Sequence, residues 1–382
     1  MSQPINNRFY LGKARQQGLS LIELMVALLI TAIIFAGVIN TLLASKRAYL
    51  FDDEIAYIQE NSRFALDFLA REVREAGYTG GCNINTADVA NALRPDVDQS
   101  DIYDTTPIEG FEGGVSVFPA SFSAGVTPGT DAFIIRKANS DGALTVTNHV
   151  GPSAIIHVSP SHSYSDGTVL MMVNADCSKV GIFSATSTQT DQIQHQRGNG
   201  TSENCSQRLS GDFDCTGCPP NGQCSGSSTN EYQDGSSVFQ LSAQAFYIGT
   251  SAYNPAIRSL YVRSLNDGGS VNSSELVSGV EDMQILYGID NEPTNPDGEA
   301  NRYYTADAIL QDNADATTAV AWDRVVSARI TLVMRSRNEV LSEASSITMP
   351  TTGTTYNDRY LYQEVSTVIN LRNAALPANP VN

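Results

Sequence analysis

The sequence predicts an α+β fold in which one long N-terminal helix packs on antiparallel β-sheet elaborated by large loop insertions. Three observations carry that reading. Leu24 to Ser45 is an uncharged run of 22 residues, and apolar spacing of helical period continues beyond it. After Cys82 the chain breaks into short apolar or alternating runs separated by Gly, Asp, Asn and Ser, the texture of strands and turns. The last two runs, 324–336 and 360–372, each present one mostly apolar face, as an antiparallel sheet covered on one side requires.

At about 1.5 Å per residue, the uncharged run is long enough to span a bilayer core of roughly 30 Å. A leader over 1–18 holds Arg8, Lys13 and Arg15 and no acid, while the sequence after the run is predominantly acidic. That bias places the N-terminus in the cytoplasm and the bulk of the chain outside. A secretory signal would have a shorter apolar region with its cleavage site behind it. Here Gly18 closes the leader ahead of the apolar region, so a cut there would retain the helix. Glu23 is the one charge at the mouth of the run, and a carboxylate in that position is costly to bury without a partner.

Beyond Lys46 the positions Phe51, Ile55, Ile58, Ser62, Ala65, Leu69, Val73 and Ala76 recur every three or four residues, with polar side chains, Glu54 among them, between. This is an amphipathic continuation of the same helix, with a stripe for a globular domain. Gly77, then Gly80 and Gly81, supply its stop. The organisation expected is a membrane half of the helix over 19–45, an amphipathic half over 46–78 and a β-rich head over 79–382.

Within the head the expected strands are 115–118, 132–136, 154–158, 168–174, 180–184, 238–248, 257–263, 282–288, 324–336 and 360–372. Residues 185–235 are poor in large apolar side chains and hold four cysteines, and they read as a long insertion held in part by disulfides. Trp322, the only tryptophan, heads the strand at 324–336 and is expected to be a packing anchor.

Composition excludes several functions. The net charge is −18, and it becomes −21 without the leader, with 20 basic against 41 acidic side chains left. Such a surface repels nucleic acid, and no basic stripe is present. No phosphate loop, dinucleotide fingerprint, nucleophile elbow or HExxH helix occurs, so the chain is expected not to be an enzyme. Among the four histidines, His149, His157, His162 and His195, only His157 and His162 are close in sequence, and that pair reads as a strand-and-turn coincidence.

All six cysteines, Cys82, Cys177, Cys205, Cys215, Cys218 and Cys224, follow the membrane helix, and an even number in an exported domain favours disulfides. Their pairing stays open. Cys215 and Cys218 have the spacing of half a zinc site, but no second such pair accompanies them. No cofactor is required. The loop around Asp290, Asp297 and Glu299 offers hard oxygen ligands suited to calcium, though without the spacing of an EF-hand, and a solvated acidic turn is the competing reading.

Residues 15–45, RQQGLSLIELMVALLITAIIFAGVINTLLAS, bring the basic leader, Gly18, Glu23 and the apolar run together at the spacing of a prepilin signal. The chain thereby resembles the type IV pilins and the pseudopilins of type II secretion. The segments 275–290, 322–337 and 359–373 are similar to the C-terminal half of PilW-type minor pilins and, in part, of J-type minor pseudopilins. The resemblance implies a pilin-like fold and cleavage by the prepilin peptidase between Gly18 and Leu19. It further implies methylation of Leu19 and pairing of Glu23 with the amino terminus of a neighbouring subunit. Leu19 departs from the commoner phenylalanine, yet remains bulky and apolar.

The function implied is that of a minor pilin in the initiation of type IV pili, within a tip or priming complex. The alternatives are a minor pseudopilin of type II secretion or, in a different class, a membrane-anchored adhesion protein. The partners implied are other minor pilins, the major pilin, the pilus assembly platform, a tip adhesin and, before assembly, membrane lipid. The location implied is the inner membrane, single-pass with a periplasmic C-terminal domain, and afterwards the pilus at the cell surface.

Overall fold

A computed structural model describes residues 20–84, 87–93, 102–113, 119, 122–197, 204–210, 231–265, 271–292, 297–312 and 322–374. The chain divides into two compact units, Met1–Asp53 and Glu54–Asn382.

In the first unit the described residues are the opening stretch of helix α1 (Leu21–Glu75). Ser20 begins it as an N-cap. Its hydroxyl accepts the Glu23 N–H at 3.1 Å, satisfying a donor that the first turn cannot, and its carbonyl accepts the Leu24 N–H at 3.1 Å as the first bond of the helical ladder. Every residue from Ser20 to Asp53 is exposed, and the apolar stretch is long enough to cross a membrane. Its two threonines turn their hydroxyls onto their own helix, Thr31 to the Ala27 carbonyl at 2.7 Å and Thr41 to the Gly37 carbonyl at 3.0 Å. Gly37 does not interrupt it.

In the second unit α1 continues to Glu75, and the predicted stripe is the buried face. Ile58, Ser62, Ala65, Leu69, Val73 and Ala76 are buried, Ile55 is half-buried and Phe51 is exposed. Gly77 stops the helix for two physical reasons. Its φ is +75°, and a Cβ there would stand 2.9 Å from Pro107 and from the Asn373 carbonyl.

Among the described residues the head holds three sheets. The largest contains β1 (Asp88–Asn91), β2 (Ile108–Phe111), β3 (Ala132–Val150), β4 (Ile155–Ser159), β5 (Val169–Val173), β6 (Lys179–Ser184), β7 (Ser187–Gln189), β8 (Gln192–Gln194), β9 (Ser237–Thr250), β10 (Arg258–Leu265) and β11 (Val271–Ser278). Its main path runs β1-β6-β5-β9-β3-β4-β8-β7; β2 flanks β3, while β10 pairs β9 and carries β11. Only β1 with β6 is parallel among these pairs.

The second sheet has the order β13-β12-β14-β17, from β12 (Val280–Ile289), β13 (Arg302–Tyr304), β14 (Val325–Arg335) and β17 (Tyr362–Asn370). A separate hairpin joins β15 (Ser345–Thr348) to β16 (Thr355–Asp358), and a short helix α2 spans Ala306–Asp312. The lower half of α1 closes one core against both larger sheets. Ala65, Leu69 and Val73 share one buried cluster with Phe133, Ile135 and Phe246 of the first sheet and with Met283, Ile285, Ile330 and Leu332 of the second. Each fully buried Leu or Ile there contributes roughly 1.5–3 kcal/mol.

Several expectations need correction. The run at 115–118 lies outside the described residues. The segment 185–235 is not wholly an insertion: β7 and β8 extend the large sheet, and His195, Asn204 and Leu209 are fully buried. The strand β14 is covered on both faces, because Thr331, Val333 and Arg335 are buried as well as the apolar set. Arg335 accounts for part of that second cover, its guanidinium lying over the Tyr360 ring at 4.5 Å. The strands β1, β2, β11, β13, β15 and β16 and helix α2 were not anticipated, being short or polar, as in SSIT and TYND.

Candidate functional site

The residues with an expected assembly role lie at the start of α1. Gly18 and Leu19 fall outside the described residues. Glu23 occupies the first turn, where a carboxylate complements the positive end of the helix dipole. Its side chain is exposed and makes no ion pair or hydrogen bond with any described residue.

Glu54, on the same helix, has the opposite surroundings and was expected on the polar face. It is buried, with a carboxylate that accepts the Arg337 backbone N–H at 2.7 Å and the Asn338 side-chain amide at 2.7 Å. The Arg337 guanidinium stands 3.5 Å from it and lies 4.4 Å over the Tyr57 ring. Tyr57 and Asn61 in turn donate to the Ser278 carbonyl at 3.0 and 3.2 Å. The turn after β14 and the end of β11 thus clasp α1 where its burial begins. A buried acid in a helix reads from sequence as an ordinary solvated charge, because its partners are remote in the chain.

Below the helix, a disulfide joins Cys82 to Cys177 across a sequence separation of 95. It ties the segment following α1 to the β5–β6 turn. Cys205 is also disulfide-bonded, and no described cysteine is free. Cys215, Cys218 and Cys224 lie outside the described residues.

In the acidic loop Asp290 is buried, not solvated. Its carboxylate accepts the Glu292 N–H at 3.2 Å and the Gly298 N–H at 2.8 Å, while Asp297 accepts the Glu299 N–H at 2.9 Å. These carboxylates organise the loop backbone. No group of three or more His, Cys, Asp or Glu side chains able to hold a metal occurs among the described residues. Trp322 packs edge-on against Tyr287 at 4.9 Å, in keeping with an anchor.

Two buried titratable groups have no sequence signal. His149 and His195, distant in the chain, face each other with Nε2 atoms 3.0 Å apart, and the Tyr232 N–H donates to His149 Nδ1 at 3.0 Å. That donor fixes the His149 proton on Nε2, from which it donates to His195. Burial pushes His149 down to about 4, helped by Lys179, and His195 to about 3, helped by His149. His157 and His162 are not brought into such a pair.

Asp131 joins the two larger sheets. Its N–H donates to the Met283 carbonyl at 2.9 Å, and its carboxylate accepts the Ile285 N–H at 2.9 Å and the Gly113 N–H at 3.1 Å. Burial first, then the nearby Glu112 carboxylate, pushes its pKa up to about 7.

Residues 245–373 match the family described as Type IV Pilus-assembly protein W (PilW), and residues 13–39 match the prokaryotic N-terminal methylation motif. No curated protein and no solved structure matches the chain. The first match takes in β10–β17, the whole of the second sheet; the second takes in the opening of α1 and Glu23.

Proposed function

We propose that this chain, a PilW-like, non-enzymatic member of the minor pilin and pseudopilin class, helps to initiate type IV pilus assembly. In this reading the leader is removed between Gly18 and Leu19, Leu19 is methylated, and one apolar helix holds the protein in the inner membrane. Before assembly, lipid covers the exposed apolar surface of residues 20–45. The head stays on the periplasmic side until the subunit enters the filament. Neighbouring minor pilins, the major pilin, the assembly platform and a tip adhesin are then its partners.

The observation that supports this most is Glu23, a carboxylate on an apolar helix with no side-chain partner among the described residues. In lipid such a charge requires a cation or a proton. The amino group that cleavage creates on a neighbour's Leu19 would supply the cation at the same depth. A charge-assisted contact in low dielectric is strong enough to set the register of one subunit against the next.

N-terminal mass analysis of the membrane-extracted protein tests the processing step, and a mature chain beginning anywhere but Leu19 would remove the assignment. A clean deletion, assayed for surface pili, twitching and secreted enzymes, tests the pathway. Lost pili with normal secretion fits pilus initiation. Lost secretion with normal pili would instead make the chain a type II pseudopilin.

A further inference from the structure

The second sheet ends on β17, whose nine residues pair with β14 without a break in register. Two bonds fix which way its peptide groups turn. At one end the Leu371 N–H donates to the Val326 carbonyl at 2.9 Å, and at the other the Ser336 N–H donates to the Leu361 carbonyl at 2.9 Å. In an antiparallel ladder these directions alternate along the strand. The odd-numbered peptide groups from 361 to 371 therefore face β14, and those of Tyr362, Glu364, Ser366, Val368 and Asn370 face the open edge. No N–H or C=O of these five has a partner among the described residues. Beyond them the edge closes, because the Arg372 N–H donates to the Arg74 carbonyl at 3.4 Å.

Such a row invites another strand, and proteins usually blunt it with a short edge, a Lys, a Pro or a bulge. The opposite edge of the sheet, β13, is three residues long, and β11, at an edge of the large sheet, meets a bulge in β10. In β17 none of these devices is present. It contains no Lys, Pro or bulge, and its one charge, Glu364, is held by the Thr351 N–H at 3.0 Å. Val368 is 47 % exposed, and Leu361 and Val365 are only partly buried against the α1 core. A strand with apolar residues at alternate positions would complete that cover.

We infer that the outer edge of β17 accepts a strand from a different membrane-anchored subunit, which extends the second sheet across a subunit boundary. The inference rests on the filament-subunit reading above. A second copy of this chain does not fit. Antiparallel pairing of two β17 edges needs a two-fold axis normal to the sheet, which reverses the second α1. Parallel pairing puts the two α1 helices on opposite faces of the joined sheet, so neither arrangement lets both helices enter one bundle. Pairing of β17 with the β13 of a second copy would match nine residues with three. With a chain net charge of −18 and Glu364 on the edge, the strand that fits carries no acid and a Lys or Arg opposite Glu364.

The test uses the full chain in its native membrane, with Ser366→p-benzoylphenylalanine as a photo-crosslinker at the centre of the edge. Tyr253→p-benzoylphenylalanine, 91 % exposed on the β9–β10 loop, is the control. The expected adduct forms from Ser366 and not from Tyr253, and joins this chain to another single-span subunit. Val368→Pro removes an outward N–H and leaves the β14 ladder intact, so it should cut the adduct about tenfold with the melting temperature unchanged. Thr367→Pro, whose N–H enters that ladder, should instead lower the melting temperature. Equal destabilisation by the two prolines, an undiminished adduct with Val368→Pro, no adduct from Ser366, or an adduct between two copies would overturn the inference. Failure of the underlying reading shows separately: deletion of the whole chain would then leave surface pili and twitching unchanged while the Ser366 adduct still forms.

Discussion

Glu23 and Glu54 occupy one helix and meet opposite surroundings. The Glu23 carboxylate lies in an apolar stretch with no partner among the described residues, whereas that of Glu54 is surrounded by an amide, a peptide N–H and a guanidinium. The same contrast separates their neighbours: leucines are exposed up to Leu50, while Leu69 is fully buried. One stretch therefore leaves its side chains exposed, and the other is completed within its own head. A glutamate in a helix says nothing of which case applies until the chain beside it is known.

The sharpest way to break this contrast is Glu23→Ala. We expect normal membrane insertion, since the apolar run is preserved, with loss of crosslinking to other minor pilins and of surface pili at matched protein level. An alanine variant that crosslinks and piliates like wild type would leave Glu23 without the register role. In the head, Cys82→Ser should lower stability by about 4 kcal/mol, the order expected for opening a closed loop of this length. Denaturant unfolding under oxidising conditions measures it, and an unchanged midpoint would remove the disulfide's part in holding the foot of α1.

A paired substitution sharpens the comparison directly. Leu69→Ala should cost about 3 kcal/mol of head stability through lost burial and the cavity it leaves. Leu29→Ala should cost the head nothing measurable, and equal losses would contradict the division of the helix. Glu54→Ala should be milder, about 2 kcal/mol, because Arg337 is partly solvated and keeps its stacking on Tyr57. Hydrogen exchange should locate that effect in the turn around Arg337 and Asn338, and protection unchanged there would argue against a clasp.

The smallest effect is a slope with pH. Because the folded pKa of Asp131 is raised to about 7, its contribution to stability is full below the unfolded value near 3.8 and is lost as pH rises through 7. His149 and His195 act in the opposite sense. Their depressed values make stability fall as pH drops below about 6.5 toward 3. Asp131→Asn should therefore flatten the decline between about pH 4 and 7 and leave the acid limb of the histidines in place. A variant with the wild-type slope above pH 5 would show that Asp131 is not its source.

Much of this was legible in the chain. The helix stripe from Ile58 to Ala76 followed from spacing alone, and the strands β14 and β17 followed from alternation. What stayed hidden has a common cause, since each case depends on residues far apart in sequence. Glu54 is buried by Arg337 and Asn338, His149 by His195 and Tyr232, and the second face of β14 by Arg335 under Tyr360. The strands β7 and β8 were hidden for another reason. Three residues each, rich in Ser, Thr and Gln, carry no periodicity to detect, and the ladder to β4 forms them.

The two threonines of the apolar stretch have a mechanical consequence. With Thr31 and Thr41 both folded onto their own backbone, that rod offers a neighbouring rod mainly dispersion contacts, with Asn40 the one side-chain amide on its exposed apolar surface. Contacts of that kind change little as one rod slips or rolls along another. Packed side by side, such rods would shear and stretch smoothly between the stops that polar groups such as Glu23 and Asn40 could set.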